Sequence, residues 1–436
     1  MPDSSSRIAH RGAILSFRSD PGERDDPLSY DYWEQGALIV AGGRVEQVGP
    51  ATPLLSGSSM PVIEHGSRLL LPGFIDTHIH YPQTDVIGAG GRHLLEWLEQ
   101  YTYPAEQRFA DPAHARAVAA FFFDELLRNG TTTAQVLGTV HRTSIDVFFE
   151  MAAVRALRMI AGKALMDRLC PDGLRDASAD TGERETRELI ERWHGQGRLH
   201  YAITPRFALS SSEAQLESCG RLAAQFPDVF LHSHLAENAL EIEQVRQAFP
   251  QRRSYLDVYD HYGLLRERAT YAHCIYLDGV DRSRLAASGA GVAFCPSSNL
   301  YLGSGLFDIA EADAAGLPFA LATDVGGGSS FSMLRTMGEA YKVAQLSGRQ
   351  LTPLRAFYLA TLAGARQLRL QDRIGSFIPG HEADFIVLDP AATPLLARRM
   401  DQCHTLSERL RLWMILGDDR AIADTYVLGQ RVSGQG

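Results

Sequence analysis

The sequence predicts an α/β protein in which a central (β/α)8 barrel of the TIM type is flanked by a small β-sandwich domain built from both chain ends. Eight strand-like segments alternate with helical stretches through the middle of the chain, over roughly 300 residues. Polar residues fall at the C-terminal ends of those strands, and strand-rich segments lie on either side. We therefore expect the barrel over residues 69–371 and the sandwich from residues 1–68 plus 372–436.

The eight candidate strands are short apolar runs bounded by turn residues. In chain order they are LLLPGFIDTHIH (69–80), TTTAQVLG (131–138), RMIAGKALMD (158–167), HYAITPRFAL (200–209), VFLHSHLAE (229–237), ATYAHCIYL (269–277), GAGVAFCPSS (289–298) and FALATDVGG (319–327). Helical patterns lie between them, such as residues 112–130 and residues 239–250. The first of these ends in Asn129-Gly130, a typical helix stop. A doubly wound open sheet would show the same alternation.

The position of the polar residues favours the barrel over the open sheet. Five strands end in polar groups: Asp76, His78 and His80 on the first, Arg206 on the fourth, His234 and Glu237 on the fifth, His273 on the sixth and Asp324 on the eighth. Active sites of (β/α)8 barrels gather on the face where the strands end. Fold stability alone does not explain why five strands place polar side chains at this one end of the barrel.

The flanking segments read as strands joined by turns. Examples are ALIVAGGRVEQVGP (37–50), GHEADFIVLDP (380–390) and DTYVLGQRVSG (424–434), each interrupted or bounded by glycine or proline. Because such segments occur at both ends of the chain, we expect the two ends to meet in one small strand-rich domain.

Composition excludes several classes of partner. Hydrophobic residues make up 45% of the 436 residues, which is enough for a sizeable core, and the formal net charge is −10. Nucleic acid and anionic membranes reward a basic surface, so neither is expected as a partner. The five cysteines are odd in number and form no C-x-x-C pair, as in a reducing cytoplasm. No apolar stretch reaches the roughly 18 residues of a membrane span, so we expect a cytoplasmic protein.

A metal site is predicted by the histidine spacing. His78 and His80 lie two apart on one strand, so both side chains point to the same face. A third imidazole from the fifth strand and a carboxylate from the eighth would complete three nitrogens and one oxygen around zinc, with water in the open position. An H-x-H pair alone is a weak signal. Its place at the end of an apolar strand, with further histidines and Asp324 at later strand ends, makes it strong.

Several motifs resemble those of the amidohydrolase superfamily. PGFIDTHIH (72–80), SHLAEN (233–238), YAHC (271–274) and TDVGG (323–327) look like its ligand motifs. Within the superfamily the chain resembles the guanine deaminases through LLEWLEQYTYPAE (94–106), HYPQ (80–83), TPRFALS (204–210) and TDVGGGSSFSML (323–334). The resemblance covers the barrel and the flanking strands. It implies hydrolytic deamination of guanine to xanthine and ammonia, one Zn²⁺ per chain with Fe²⁺ as the alternative, and a homodimer.

The resemblance also implies roles for individual residues. His78, His80, His234 and Asp324 would hold the metal. Glu237 would shuttle protons, His273 would orient the water, and Asp324 would pass a second proton to the departing amine. The residues expected to contact the substrate are Gln83, Arg206, Phe207, His234, Glu237, His273 and Asp324. Among these, the Arg206 guanidinium would donate to O6 of guanine, an acceptor that adenine lacks.

Alternatives stay open for other residues and for the reaction. Asp76 could ligate a metal or only bond loop backbone, and His232 reads as a buried histidine that supports a ligand. Trp97 and Tyr101 could line the pocket or pack a helix. Lys163 lies on the third strand, not the fourth, which favours one metal over a lysine-bridged pair. The rival functions are another deaminase or chlorohydrolase of this superfamily, acting on a related purine or triazine, and a catalytically silent scaffold. Retention of every expected ligand type argues against the scaffold.

Overall fold

The computed structural model describes residues 7–90 and 93–434, so the outermost parts of the predicted flanking domain, residues 1–6 and 435–436, lie outside the described residues. The chain groups into two compact units. One, here called the barrel unit, comprises Asp76–Phe123 and Ala134–Ser330. The other, the terminal unit, comprises Met1–Ile75, Asp124–Thr133 and Phe331–Gly436. The predicted boundary near residues 371 and 372 stays a prediction.

The strands of the described residues belong to two sheets. They are β1 Arg7–Phe17, β2 Tyr30–Ala41, β3 Arg44–Pro50, β4 Val62–Pro72, β5 Phe74–His80, β6 Thr131–Leu137, β7 Arg158–Gly162, β8 Ala164–Leu165, β9 Leu199–Pro205, β10 Phe230–Leu235, β11 Ala269–His273, β12 Gly291–Phe294, β13 Phe319–Leu321, β14 Phe385–Leu388, β15 Ile422–Val427 and β16 Gln430–Gly434.

The α-helices of the described residues lie mostly between barrel strands or after the last of them. They are α1 Ala51–Leu55, α2 Leu94–Trp97, α3 Tyr103–Gln107, α4 Pro112–Arg128, α5 Arg142–Val154, α6 Ala179–Trp193, α7 Glu213–Gln225, α8 Ala239–Ala248, α9 Tyr255–His261, α10 Gly279–Ser288, α11 Pro296–Tyr301, α12 Ile309–Ala314, α13 Met333–Leu346, α14 Pro353–Leu359, α15 Leu362–Gln367, α16 Pro394–Met400 and α17 Leu406–Leu416. Among the residues described, none of these helices is long and apolar enough to cross a membrane.

The predicted eight-stranded barrel is confirmed. Its strands follow the order β13-β12-β11-β10-β9-β7-β6-β5, and the short β8 pairs with β9. Two backbone hydrogen bonds link the first strand to the segment after the last one. The N–H of Asp324 donates to the carbonyl of His78 at 3.0 Å, and the N–H of His80 donates to the carbonyl of Val325 at 2.8 Å. These bonds close the ring of strands at its C-terminal mouth.

The first barrel strand is shorter than the sequence indicated. The apolar run LLLPGFIDTHIH reads as one strand, but its first part, up to Pro72, belongs to β4 and pairs with β1 and β14 in the other sheet. The barrel strand β5 begins only at Phe74. Pro72 lacks a backbone donor and Gly73 carries no side chain, so the chain can leave one sheet and enter the next here. All seven residues of β5 are buried, as expected for a parallel strand covered on both faces.

Both chain ends contribute to the terminal sheet, as predicted. Its seven strands, counted over the described residues, follow the order β16-β15-β14-β4-β1-β2-β3. Within this sheet β1 and β4 pair in parallel, and every other pair of neighbouring strands is antiparallel. Its apolar core joins residues that lie far apart in the chain, including Ile14, Leu38, Leu70, Phe385 and Tyr426. The late strands therefore depend on the early ones for a buried face.

The barrel predicts one strongly destabilising substitution. Gly162 ends β7, and a Cβ atom at this position would overlap the backbone carbonyl oxygen of Ala202 on the neighbouring β9. Gly162→Ala must therefore push two paired strands apart, and such overpacking costs about 1–3 kcal/mol. We expect a lower Tm by differential scanning fluorimetry. Gly279→Ala is the matched control, because a Cβ there meets nothing within 4 Å. Equal Tm values for the two variants would contradict the close packing of β7 against β9.

Candidate active site

The four side chains predicted to bind a metal converge where the barrel strands end. His78 and His80 lie on β5, His234 lies on β10, and Asp324 follows β13. The Nε2 atom of His80 is 3.1 Å from that of His78 and 3.2 Å from that of His234. One carboxylate oxygen of Asp324 lies 3.1 Å from His78 Nε2 and 3.3 Å from His80 Nε2. These four donors face one small volume.

Protonation states follow from burial and charge. Burial lowers the pKa of His78 to about 4 and that of His234 well below its usual value, so both imidazoles are neutral at pH 7. Burial opposes the charge of Asp324, but the neighbouring histidines, His78 first, hold the pKa of its carboxyl well below the usual range. His78, His234 and Asp324 can therefore offer lone pairs to a metal ion. Three nitrogens and one oxygen in this arrangement fit a tetrahedral divalent metal ion such as zinc.

Hydrogen bonds behind the cluster orient two of the imidazoles. His234 Nδ1 lies 2.6 Å from the carbonyl oxygen of Arg206, which can only accept, so Nδ1 carries the proton and Nε2 is left as a lone-pair donor. His78 Nδ1 lies 2.6 Å from Nε2 of His232. His232 is fully buried, and its place behind His78 agrees with the interpretation of a histidine that supports a ligand.

Asp76 takes a structural position beside the cluster. Its carboxylate accepts from the N–H of His78 at 3.2 Å, from the N–H of Thr323 at 3.1 Å and from the Thr323 hydroxyl. Burial raises the pKa of Asp76 to about 7. The carboxylate therefore ties β5 to the segment before Asp324 and holds backbone, which is one of the two roles left open by the sequence.

Glu237 and His273 form the second functional pair. Their side chains approach to 3.3 Å, and His273 Nε2 is 3.7 Å from Asp324. Asn299 contacts the other ring nitrogen of His273 at 2.9 Å, and the Ser304 hydroxyl donates to Glu237 at 2.9 Å. Burial raises the pKa of Glu237 to about 7. A carboxyl with a pKa near neutrality is suited to taking and returning a proton.

Three residues at the same mouth have an unusual backbone conformation. Ala236, His273 and Asp324 have φ values of 50°, 71° and 51°, in the left-handed region that residues other than glycine rarely adopt. Residues in such conformations persist where surrounding contacts determine them, and they cluster at functional sites. The strand ends are therefore bent at His273 and Asp324, two residues that line the cavity.

The predicted base-reading residues line one cavity with the metal ligands. Gln83, Arg206 and Phe207 contribute to its wall together with His80, His234, Glu237, His273 and Asp324. Apolar side chains complete the wall: Leu94, Trp97, Leu98 and Leu302. Trp97 thus lines the pocket, which settles one alternative left open by the sequence. The cavity combines apolar walls with a few polar side chains, as small-molecule sites do.

Glu106 is a buried residue of this site that sequence reasoning missed. Its carboxylate accepts from Gln83 Nε2 at 3.0 Å and from Arg206 Nη1 at 2.5 Å. The Tyr103 ring lies 5.5 Å from the Arg206 guanidinium. A buried arginine needs an acidic partner, and this requirement could have pointed to an acidic residue near Arg206. It could not decide among Glu96, Glu99 and Glu106, because all three lie in the same motif.

Lys163 lies apart from the metal-ligand cluster. Its buried ammonium is paired with Asp176, and Glu185 lies 3.6 Å away. An amine held by two carboxylates gives no support to a second, lysine-bridged metal.

Comparisons with known proteins agree with this geometry. The profile of the Amidohydrolase family matches residues 69–432. The guanine deaminase of Escherichia coli (strain K12) is 48% identical over 430 residues, which cover 97% of this chain and 97% of that protein. The solved structure of E. coli guanine deaminase matches with a TM-score of 0.95 at 45% identity, covering 99% of this chain and 100% of that one. Guanine deaminase from C. acetobutylicum, solved with bound guanine in the active site, matches with a TM-score of 0.89 at 27% identity, covering 98% and 100%.

The cluster predicts a metal content that depends on two of its histidines. We expect about one tightly held divalent ion per chain in the purified protein, and its loss in His78→Ala and His234→Ala, because three remaining donors do not fix a tetrahedral site. Elemental analysis by mass spectrometry measures this directly. The exposed His261 offers the control His261→Ala, which should keep its metal. Retention of a full metal complement by both cluster variants would refute the ligand assignment.

Proposed function

The chain belongs to the amidohydrolase family, and we propose that it catalyses the hydrolytic deamination of guanine to xanthine and ammonia with one Zn²⁺ per chain. The observation that carries this proposal is the single cavity in which metal-ligand side chains meet Gln83 and Arg206. In this cavity a planar purine can place its C2 amino group toward the metal-ligand cluster and its O6 edge toward fixed polar groups.

His78, His80, His234 and Asp324 would hold the ion. When bound, zinc supplies a water whose pKa is lowered toward neutrality. The same donors also suit Fe²⁺, which is the alternative metal. Burial lowers the pKa of His78 and of His234, and the neighbouring histidines hold the pKa of the Asp324 carboxyl low, so these three side chains are ready to ligate without first losing a proton.

Glu237 is the proton shuttle of the proposed reaction. Guanine is a weak electrophile at C2, and protonation of the neighbouring N3 strengthens it. Glu237 takes one proton of the attacking water and delivers it to N3, which has no hydrogen of its own. His273, 3.3 Å from Glu237 and held by Asn299, orients the water at C2. The second water proton passes through the Asp324 carboxylate to the amine, which leaves as ammonia.

Base recognition uses the opposite end of the cavity. Arg206 has one guanidinium donor committed to Glu106 and keeps others for the O6 acceptor of guanine. Phe207 supplies an apolar surface for the ring, and Gln83 supplies a polar group beside it. The buried ion pair of Arg206 is thus compatible with substrate reading, because the same residue both pairs with Glu106 and lines the cavity.

The proposal extends to the cellular setting. We place the enzyme in the cytoplasm as a homodimer that acts in purine breakdown, with no nucleic-acid or membrane partner. The cysteine usage and the acidic net charge support that setting.

Assay of a substrate panel tests the function itself. Purified protein is incubated with guanine, adenine and an aminotriazine, and product bases and ammonia are measured. We expect xanthine and ammonia from guanine at a kcat/KM far above that for the other rings. A preference for the triazine or for adenine would contradict the proposal and indicate that the chain catalyses another reaction of the same family.

The proton shuttle predicts a large loss of turnover in Glu237→Gln. The substitution keeps size and hydrogen bonding but removes the group that carries the proton, so kcat for guanine should fall by about 10²–10⁴-fold. Metal content should stay unchanged. Loss of the metal together with activity would identify Glu237 as a ligand instead.

Substrate reading predicts a selective loss in Arg206→Leu. A site built to bond a polar group discriminates by on the order of 10⁴-fold against a ring without it, so kcat/KM for guanine should fall severely and metal should be retained. 2-Aminopurine, which has the C2 amine but no O6, should be affected far less. Equal losses for both rings would leave Arg206 with only its ion pair to Glu106.

A further inference from the structure

Glu106 occupies an unusual place behind the cavity wall. It lies on α3 and is completely buried. It does not line the cavity itself, but it accepts hydrogen bonds from both polar base-reading residues that do, Gln83 and Arg206. One carboxylate therefore links the two side chains that face the purine edge.

We infer that Glu106 is a positioning residue for base recognition, which sets the donor and acceptor pattern that Gln83 and Arg206 show to the purine. The inference rests on the proposed deamination of guanine. It concerns the specificity of that reaction and leaves the metal site and the proton shuttle untouched.

The Gln83 amide is held in one orientation by groups that cannot exchange roles. An ionised carboxylate only accepts, so Gln83 must turn its Nε2 toward Glu106, at 3.0 Å. A backbone N–H only donates, so the Gly326 N–H, at 3.2 Å, must face Gln83 Oε1. His80 Nδ1 lies 3.0 Å from the same Nε2, and an imidazole nitrogen can take either role. The charge on Glu106 keeps Nε2 on that side whichever ring nitrogen of His80 carries the proton.

Arg206 is held by the same carboxylate. Its guanidinium is buried, and a buried charge without a partner is costly. Burial opposes that charge, but the Glu106 carboxylate and Tyr103 outweigh it and raise the pKa of Arg206. One N–H of the planar fork is tied to Glu106, so the fork cannot rotate freely. The remaining donors are thereby directed to a constant position in the cavity.

Together the two side chains would present a donor beside an acceptor. Arg206 offers N–H groups, and Gln83 Oε1 keeps one lone pair after it accepts from Gly326. Guanine shows the complementary pair, an O6 acceptor beside an N1–H donor. A 6-amino purine shows the reverse pair. Without Glu106 the Gln83 amide keeps its contacts to Gly326 and His80 but loses the charged acceptor of its Nε2, and the Arg206 guanidinium loses the partner that fixes its rotation, so the pattern becomes less selective.

Glu106→Gln tests this inference, since it keeps the side-chain size but removes the charge and adds a donor. Hydrogen bonds to charged groups contribute about 1.5–3 kcal/mol, so we expect KM for guanine to rise by roughly 10–100-fold. 2-Aminopurine lacks O6, and its binding can be followed by its fluorescence. Its Kd should change by no more than about threefold, which is the size of effect expected from a weak neutral contact. Metal content should match the wild type.

Two further variants separate positioning from folding. Asp176→Asn removes a carboxylate from another buried ion pair, with Lys163, that does not line the cavity. It should lower Tm and leave KM for guanine unchanged. Glu106→Asp keeps the charge and should recover part of the guanine affinity, and it serves as the test if Glu106→Gln does not fold.

The double variant Gln83→Ala with Glu106→Gln completes the experiment. If Glu106 acts through Gln83, the double variant should lose less than the product of the single losses, because residues in one network are not additive. A simple product, or equal weakening of guanine and 2-aminopurine in Glu106→Gln, would overturn the inference. A wild-type protein that releases no xanthine from guanine would instead contradict the proposed function.

Discussion

Three imidazole nitrogens and one carboxylate oxygen share a small buried volume at the barrel mouth, and the rest of the site depends on their staying there. Lone pairs about 3 Å apart repel one another when little water screens them. The backbone holds them together. The hydrogen bonds from Asp324 N–H to the His78 carbonyl and from His80 N–H to the Val325 carbonyl close the barrel. They also fix the backbone of three of the four donors, so the bonds that close the barrel are the bonds that hold the cluster together.

The residues proposed to read the base contact the residues proposed to hold the metal. The carbonyl of Arg206 receives the proton of His234 Nδ1, while its side chain lines the cavity. Gln83 stands three residues after His80 and touches its ring. The proposed base-reading residues and the proposed metal ligands therefore share direct hydrogen-bond contacts. Glu106 lies behind the cavity wall and contacts Gln83 and Arg206, and we propose that it acts on base recognition through those two side chains.

The parts of the molecule that follow a local rule were predictable from sequence. The eight barrel strands are apolar runs buried on both faces, and two histidines two residues apart on a strand must share a face. The misplaced start of the first strand had a different origin. Leu69, Leu70 and Leu71 are as apolar as the barrel residues after them, and only the pairing with β1 and β14 decides which sheet they enter. Glu106 escaped notice for a similar reason, because its partners Gln83 and Arg206 lie 23 and 100 residues away in sequence.

Titration of the metal-free protein with Zn²⁺ tests the central claim most directly. Guanine turnover and Tm are followed together as the metal is added back. In the proposed site one bound ion would both supply the chemistry and compensate the buried charge, so both signals should rise in parallel and stop at about one equivalent. Full turnover by protein without bound metal, or a break at two equivalents, would contradict the account.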